Sequence, residues 1–149
     1  QITVQLETPE ELPLVSANRE DLTRVFTNFL DNAFKYNRSG GKVFVRASAD
    51  EAFIQVEIQD TGIGIPKKDI EKIFDEFYRV KSKETQGITG TGLGLSIGKK
   101  ILKPTTGISR WRVSCIREVL FGYCSRFEKL NNAGDRIQKE KFKDFIYSE

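Results

Sequence analysis

The pattern that most limits how this chain can fold is a helix-spaced apolar run followed directly by two alternating ones. Leu22, Val25, Phe26, Phe29, Leu30, Ala33 and Phe34 recur on one helical face, and Asn18 ahead of them is a capping residue. Ser39-Gly40-Gly41 stops that helix after Asn37. Lys42 to Ser48 and Ala52 to Asp60 then alternate apolar and polar, joined at Ala49-Asp50-Glu51, which predicts an antiparallel hairpin. Gln1 to Leu6, with Ile2, Val4 and Leu6 on one side, and Leu12 to Val15 read as two further short strands. Beyond Pro66, Ile70, Ile73, Phe74 and Phe77 have the spacing of a second amphipathic helix, and Leu93 to Leu102 of a third. Between those helices the polar, glycine-bearing stretch Lys81 to Thr91 is expected to be a mobile loop.

With 149 residues, 38% hydrophobic and 30% charged, the chain can bury one core but not two. Its net charge of +3 raises the question of an anionic partner, and the distribution of charge answers it. Gln1 to Leu102 hold 14 Lys+Arg and 15 Asp+Glu, whereas Lys103 to Glu149 hold 10 and 6, so the basic excess belongs to the tail. Cys115, Cys124 and Trp111 also lie in that tail, which leaves the first hundred residues without a thiol for a disulfide, a thiolate metal site or thiol catalysis. Histidine is absent, and with it the commonest general base and metal ligand. The sequence contains no apolar run of spanning length and no secretory start, so neither membrane insertion nor secretion is expected of it.

Polar residues interrupt this apolar scaffold at three places. Asn28, Asn32 and Lys35 stand at i, i+4 and i+7 on a face of the first helix distinct from its apolar stripe. Two amide oxygens one turn apart suit a hard cation already held by phosphates, and the lysine suits phosphate charge; a solvated helix face has the same pattern. Asp60 ends its strand in phase with Ile54, Val56 and Ile58, which points its carboxylate inward, where it needs a partner. Beside it, the glycines of Thr61-Gly62-Ile63-Gly64-Ile65-Pro66 let backbone approach a flat ligand, and the carboxylate could accept from an exocyclic amine such as that of adenine; an ordinary loop-capping aspartate is the plainer alternative. Gly90-Thr91-Gly92-Leu93-Gly94 opens the third helix, where exposed N–H groups and the helix dipole favour an anion, although no strand precedes it as a dinucleotide fingerprint requires; a simple loop-to-helix hinge is the plainer alternative. Phe74, Phe77 and Tyr78 read as core aromatics, and Arg79 as either a phosphate ligand or an exposed cation.

In this order the stretches NFLDNAFKYN (28–37), DTGIGIP (60–66), FDEFYRV (74–80) and GTGLGLS (90–96) resemble the N, G1, F and G2 boxes of sensor histidine kinase ATP-binding domains. These domains are a branch of the ATPase superfamily that includes Hsp90, MutL and type II topoisomerases. The resemblance covers about Gln1 to Leu102. It implies an α+β fold, a two-layer sandwich with a mixed, mostly antiparallel sheet packed on three helices, the Bergerat ATP-binding fold. It also implies ATP and Mg²⁺ as cofactors: Asp60 on the adenine amine, Asn32 holding Mg²⁺ with Asn28 assisting, and Lys35 and Tyr36 along the nucleotide. Gly62 and Gly64 would shape the adenine side, and Arg79, Gly90, Thr91, Gly92, Leu93 and Gly94 the phosphate side. Such a site positions and neutralises a γ-phosphate. Its acceptor histidine would sit on a dimerisation domain ahead of Gln1, and the phosphoryl group would pass on to a response regulator.

After Leu102 the pattern fails. Where the family has a glycine turn and two closing strands, this chain reads KPTTGISRWRVSCIREVLFGYCSRFEKL, without clear alternation. Codons chosen for Lys103 to Glu128 and regrouped so that each third base joins the next two can spell AHNGNITVESELYKGSTFWVLFQV followed by a stop. That hidden text has the turn and both strands. The expected organisation is therefore a histidine-kinase-type ATP-binding domain over residues 1–102 and an atypical, out-of-frame tail over 103–149, with altered C-terminal strands; a divergent C-terminal subdomain is the plainer alternative.

The function expected is a protein histidine kinase fragment, monomeric, cytoplasmic and without nucleic-acid partners, membrane anchoring of a longer kinase being left open. Two rivals stand beside it. One is a non-catalytic module that senses ATP or ADP; the other is an Hsp90- or MutL-type ATPase clamp, for which Asp31 is the acid nearest the amide pair.

Overall fold

The computed structural model describes residues 1–12, 18–49, 53–102 and 119–126. The order of elements is β1 (Thr3–Glu7), α1 (Arg19–Lys35), β2 (Lys42–Ala49), β3 (Phe53–Asp60), 3-10 turns at Lys67–Asp69 and Lys72–Phe74, α2 (Gly94–Leu102) and β4 (Val119–Arg126). The four strands form one mixed sheet in the order β1-β2-β3-β4. β1 runs parallel to β2, and β2–β3 and β3–β4 are antiparallel. A parallel pair needs a crossover, and α1 supplies it.

α1 starts where the cap predicts. Asn18 is extended and its side-chain oxygen accepts from the Asp21 N–H at 3.0 Å, with Glu20 and Asp21 in the positively polarised first turn. Its buried stripe of Leu22, Val25, Phe29 and Ala33 meets Val43, Val45 and Ile58 of the sheet and Leu102 of α2. The hairpin register pairs Val43 with Asp60, Val45 with Ile58 and Ala47 with Val56, so the inward residues of both strands share one face. α2 lies close against α1: a Cβ added at Gly98 would stand 2.8 Å from the Phe29 ring. The opposite face of the sheet is polar, where the Arg46 guanidinium meets Glu7 at 2.9 Å, Glu57 at 3.6 Å and the face of Phe44.

Sheet on helices is therefore the layering expected, but several local expectations change. The segment after Pro66 is two separate 3-10 turns in place of a second amphipathic helix, and the described residues contain two α-helices. Ile73 is buried as its spacing predicts, whereas Phe77 is 71% exposed and adopts φ +63, which no helix accommodates. The third helix begins at Gly94, one residue later than expected. Phe34, assigned to the apolar stripe, is 39% exposed, and so is Val4 at 38%, on a strand whose one neighbour among the described residues is β2. Leu12 is in no strand, and the rest of the strand expected over Leu12 to Val15 lies outside the described residues, as does the turn at 50–52.

Beyond Leu102, β4 pairs with β3 along its whole length, from Phe53 with Arg126 to Asp60 with Val119. The remainder of the tail lies outside the described residues.

Candidate functional site

β3 delivers Asp60 to the edge of the core as the alternation requires, and the carboxylate is 4% exposed. One of its oxygens accepts from the Gly62 N–H at 2.8 Å, which helps orient the carboxylate. The loop that follows is bound to the end of α1: the Ile63 N–H donates to the Tyr36 carbonyl at 3.0 Å. Gly62 is required by closeness, since a Cβ there would lie 2.2 Å from the Tyr36 carbonyl oxygen. Asn37 completes this junction, donating to the Lys42 carbonyl at 3.0 Å and accepting from the Arg38 N–H at 2.9 Å and the Thr61 hydroxyl at 3.4 Å. It is therefore structural, although it stands among the polar residues that end the helix.

α1 turns Asn28, Asp31, Asn32, Lys35 and Tyr36 towards a cavity of about 700 Å³, the size class of sites that enclose a small molecule. The start of α2 closes the cavity opposite these side chains. Gly94 packs on Asn28, where a Cβ would be 3.2 Å from the side-chain oxygen, and Gly90 packs on Lys35, where a Cβ would be 2.5 Å from the ammonium nitrogen. The glycines of this stretch thus admit the polar side chains of α1.

The segment after Pro66 builds the third wall. The Phe77 N–H donates to the Gly92 carbonyl at 3.0 Å, and Gly92, at φ +73, has no room for a side chain against the Phe77 and Tyr78 backbone. The Tyr78 hydroxyl donates to Asp69 at 2.7 Å, and the carboxylate beside it, with burial adding to the effect, raises the phenol above its ordinary range. Arg79 donates through Nη2 to the Ile88 carbonyl, while its buried Nε finds no partner among the described residues. Residues 81–91, expected as a loose loop, carry local bonds: Thr85 donates to the Val80 carbonyl at 2.8 Å and accepts from the Ser82 N–H at 2.9 Å. Hydrogen bonds from the Glu84 backbone and Ser82 lower the Glu84 carboxyl.

Of the residues expected at a site, Asn28, Asn32, Lys35, Tyr36, Asp60, Gly64, Arg79, Gly90, Thr91, Gly92 and Gly94 line this one cavity. Gly62 and Leu93 do not; Gly62 acts behind the wall, through its N–H and its lack of a side chain. Phe34, Ile73, Tyr78 and Thr85 also line the cavity and were not expected there. Phe34 and Ile73 fit an apolar stripe equally well, and nothing in the sequence around Thr85 marks it. Among the described residues no group of three His, Cys, Asp or Glu could hold a metal, and no helix is long and apolar enough to cross a membrane.

Comparison with known proteins identifies the family. Residues 17–134 match the family described as histidine kinase-, DNA gyrase B- and HSP90-like ATPase, a match that continues past Leu102 through β4. The sensor histidine kinase WalK of Bacillus subtilis is 40% identical over 101 residues, which are 66% of this chain and 16% of WalK. The adaptive-response sensory kinase SasA of Rippkaea orientalis is 40% identical over 107 residues, 71% of this chain and 27% of SasA. The chain thus spans less than a third of the length of these relatives. Among solved structures, the catalytic domain of histidine kinase ThkA superposes with a TM-score of 0.70 at 28% identity, over 84% of this chain and 78% of that one. ThkA has also been solved in complex with the response regulator protein TrrA, with a TM-score of 0.67 at 25% identity over 84% of this chain and 34% of that one. The fold, the four ordered boxes and the cavity they share make this chain a member of the histidine kinase-, DNA gyrase B- and HSP90-like ATPase family, an ATP-binding catalytic domain of the sensor histidine kinase type.

Proposed function

We propose that this domain binds Mg²⁺·ATP in the cavity between α1, α2 and the segment after Pro66, and donates the γ-phosphoryl group to a histidine on a separate dimerisation domain. The observation that carries this reading is that one cavity gathers a buried carboxylate, Asp60, an amide pair, Asn28 and Asn32, and two cations, Lys35 and Arg79. The Asp60 carboxylate, oriented by the Gly62 N–H, accepts from the exocyclic amine of adenine. The amide oxygens of Asn28 and Asn32 suit a hard cation that takes most of its ligands from phosphate and water, so these residues would hold Mg²⁺. When bound, Mg²⁺ supplies charge neutralisation on the phosphates. Lys35 and Arg79 meet the remaining phosphate charge, and Gly90 to Gly94 let the backbone approach it.

In the transfer itself, a ring nitrogen of the incoming histidine attacks the γ-phosphorus in line. The bond to the β,γ-bridging oxygen breaks with its electron pair going to ADP, and the imidazole gives up a proton. This chain contributes position and charge, since it has no histidine of its own. A response regulator is the next acceptor, and the cytoplasm the compartment. The experiment is to supply a histidine-bearing dimerisation domain in trans with γ-labelled ATP. Acid-labile label on that domain is expected. Tight ATP binding without label would favour a nucleotide-sensing module, and steady phosphate release without an acceptor would favour an ATPase clamp with Asp31 as its acid.

We propose further that residues 103–149 are read one base out of frame, the family match to residue 134 notwithstanding. The support is the loss of alternation there, the basic excess, and the family-like text followed by a stop in the shifted frame. The coding DNA is expected to carry a one-base gain or two-base loss near codons 102–104 and an out-of-frame stop across the codons of Phe127 and Glu128. DNA without that stop overturns the proposal.

A further inference from the structure

Asp69 is 6% exposed, sits on the short turn after Pro66 and does not itself line the cavity. A buried carboxylate requires a donor, and among the described residues none of the ion pairs reaches this one; its side-chain donor is the Tyr78 hydroxyl at 2.7 Å. Tyr78 does line the cavity, and it follows Phe77, whose φ of +63 is unfavourable for an aromatic residue. The pair Phe77-Tyr78 is held in this conformation at three points: the Phe77 N–H on the Gly92 carbonyl, the Tyr78 N–H on the Asp75 carbonyl, and the Tyr78 hydroxyl on Asp69. The first of these ties the pair to the glycine run that opens α2. Without the hydroxyl bond two of the three ties remain, and relaxation of Phe77 towards negative φ would swing the Tyr78 ring off the wall and loosen the tie to Gly92.

We propose that Asp69 is a positioning residue that acts through the Tyr78 hydroxyl: it holds the aromatic wall of the cavity in place and locks Phe77 onto Gly92. The proposal deepens the nucleotide reading of the same cavity and rests on it for its effect on affinity. The raised phenol keeps its proton and so remains the donor at neutral pH. Asp69 has no contact with the ligand in this scheme.

The test uses the whole chain and four variants: Tyr78→Phe, Asp69→Ala, Asp69→Asn, and Tyr78→Phe combined with Asp69→Ala. Two quantities are measured in each, the Kd for Mg²⁺·ATP and the exchange rate of the Phe77 amide hydrogen in the nucleotide-free chain. Tyr78→Phe and Asp69→Ala are each expected to weaken ATP binding and accelerate Phe77 exchange by about tenfold, the size expected for a hydrogen bond to a charged group. The double variant is expected to be no worse than either single one, because both remove the same bond. Asp69→Asn, whose amide oxygen still accepts from the phenol, should recover most of both losses, and Tyr78→Phe, which keeps the ring and removes only the hydroxyl, is the variant that a merely space-filling role would leave unchanged. Losses that multiply in the double variant, or Tyr78→Phe behaving as the wild type, would overturn the proposal. Should Asp69→Ala not fold, Tyr78→Phe and Asp69→Asn decide it between them. A wild-type chain that does not bind ATP would overturn the nucleotide reading, and the exchange cycle would still decide the Asp69–Tyr78 contact.

Discussion

Two walls of the same cavity are built in opposite ways. α1 is a regular helix with a side-chain cap at Asn18, a continuous buried stripe, and Asn28, Asp31, Asn32 and Lys35 emerging together because residues three and four apart share a face. The wall from Pro66 to Leu93 has almost no regular structure. Its shape depends on bonds between residues well apart in the chain: Phe77 with Gly92, Tyr78 with Asp69, Arg79 with Ile88. A wall set by local periodicity tolerates a changed surface residue. A wall set by a few long-range bonds loses its shape with any one of them.

The largest expected effect lies where α1 meets the sheet. Gly62→Ala places a Cβ 2.2 Å from the Tyr36 carbonyl and 2.7 Å from the Asp60 carboxylate. Backbone must move, so a loss of about 2 to 3 kcal/mol is expected in urea unfolding, with nucleotide affinity falling as well. Unchanged stability would show that this junction is soft, and with it the distinction between the two walls. Next is Asp60→Asn, expected to weaken ATP and ADP alike by about 1 to 3 kcal/mol in calorimetric titration, the range for a buried charge-assisted bond. A loss confined to ATP would move Asp60 away from the base.

Asn32→Ala tests the regular wall by itself. It should cost about 1 kcal/mol in Mg²⁺-dependent ATP binding and clearly less when metal is chelated, since the amide is asked to serve the cation. Equal losses in both conditions would make Asn32 a nucleotide contact. An effect no larger, and confined to the irregular wall, is expected at Gly87→Ala. Gly87 has φ +86 and open space around it, so the cost is backbone strain alone, about 1 kcal/mol, read from amide exchange over residues 81–91 with the α1 amides unchanged. Exchange that also rises along α1 would mean the two walls are coupled more tightly than their bonds indicate.

The same contrast explains what could be read before the fold was known. The stripe of α1, the Asn18 cap, the hairpin register and the inward phase of Asp60 all follow from periods of 3.6 and 2 that act over a few residues. The segment after Pro66 has helical spacing at Ile70, Ile73, Phe74 and Phe77, yet the chain makes 3-10 turns there, because Tyr78 bonds back to Asp69 and Phe77 bonds forward to Gly92. Phe34 and Tyr78 have the spacing of core residues and line the cavity for the same reason: a ring at helical spacing faces a core or a cavity wall with no difference in pattern. VLFGYCSR has little alternation, and its backbone is nonetheless paired as β4, where the free edge of β3 offers a full row of donors and acceptors.

By itself, the sequence determined the helix, the hairpin, the placing of Asn28, Asn32 and Lys35 on one face, the inward carboxylate of Asp60 and the family to which these belong, since each depends on local periodicity or on an ordered motif. Tertiary structure alone decided that Gly62 works behind the wall, that Asn37 is a structural tie, that Tyr78 faces the cavity under the hold of Asp69, and that Phe77 is turned out at positive φ. Each of those depends on which backbone group or buried charge the fold brings alongside, and hydrogen-bonding demand in a buried space is met by whatever lies within about 3 Å, near in sequence or not.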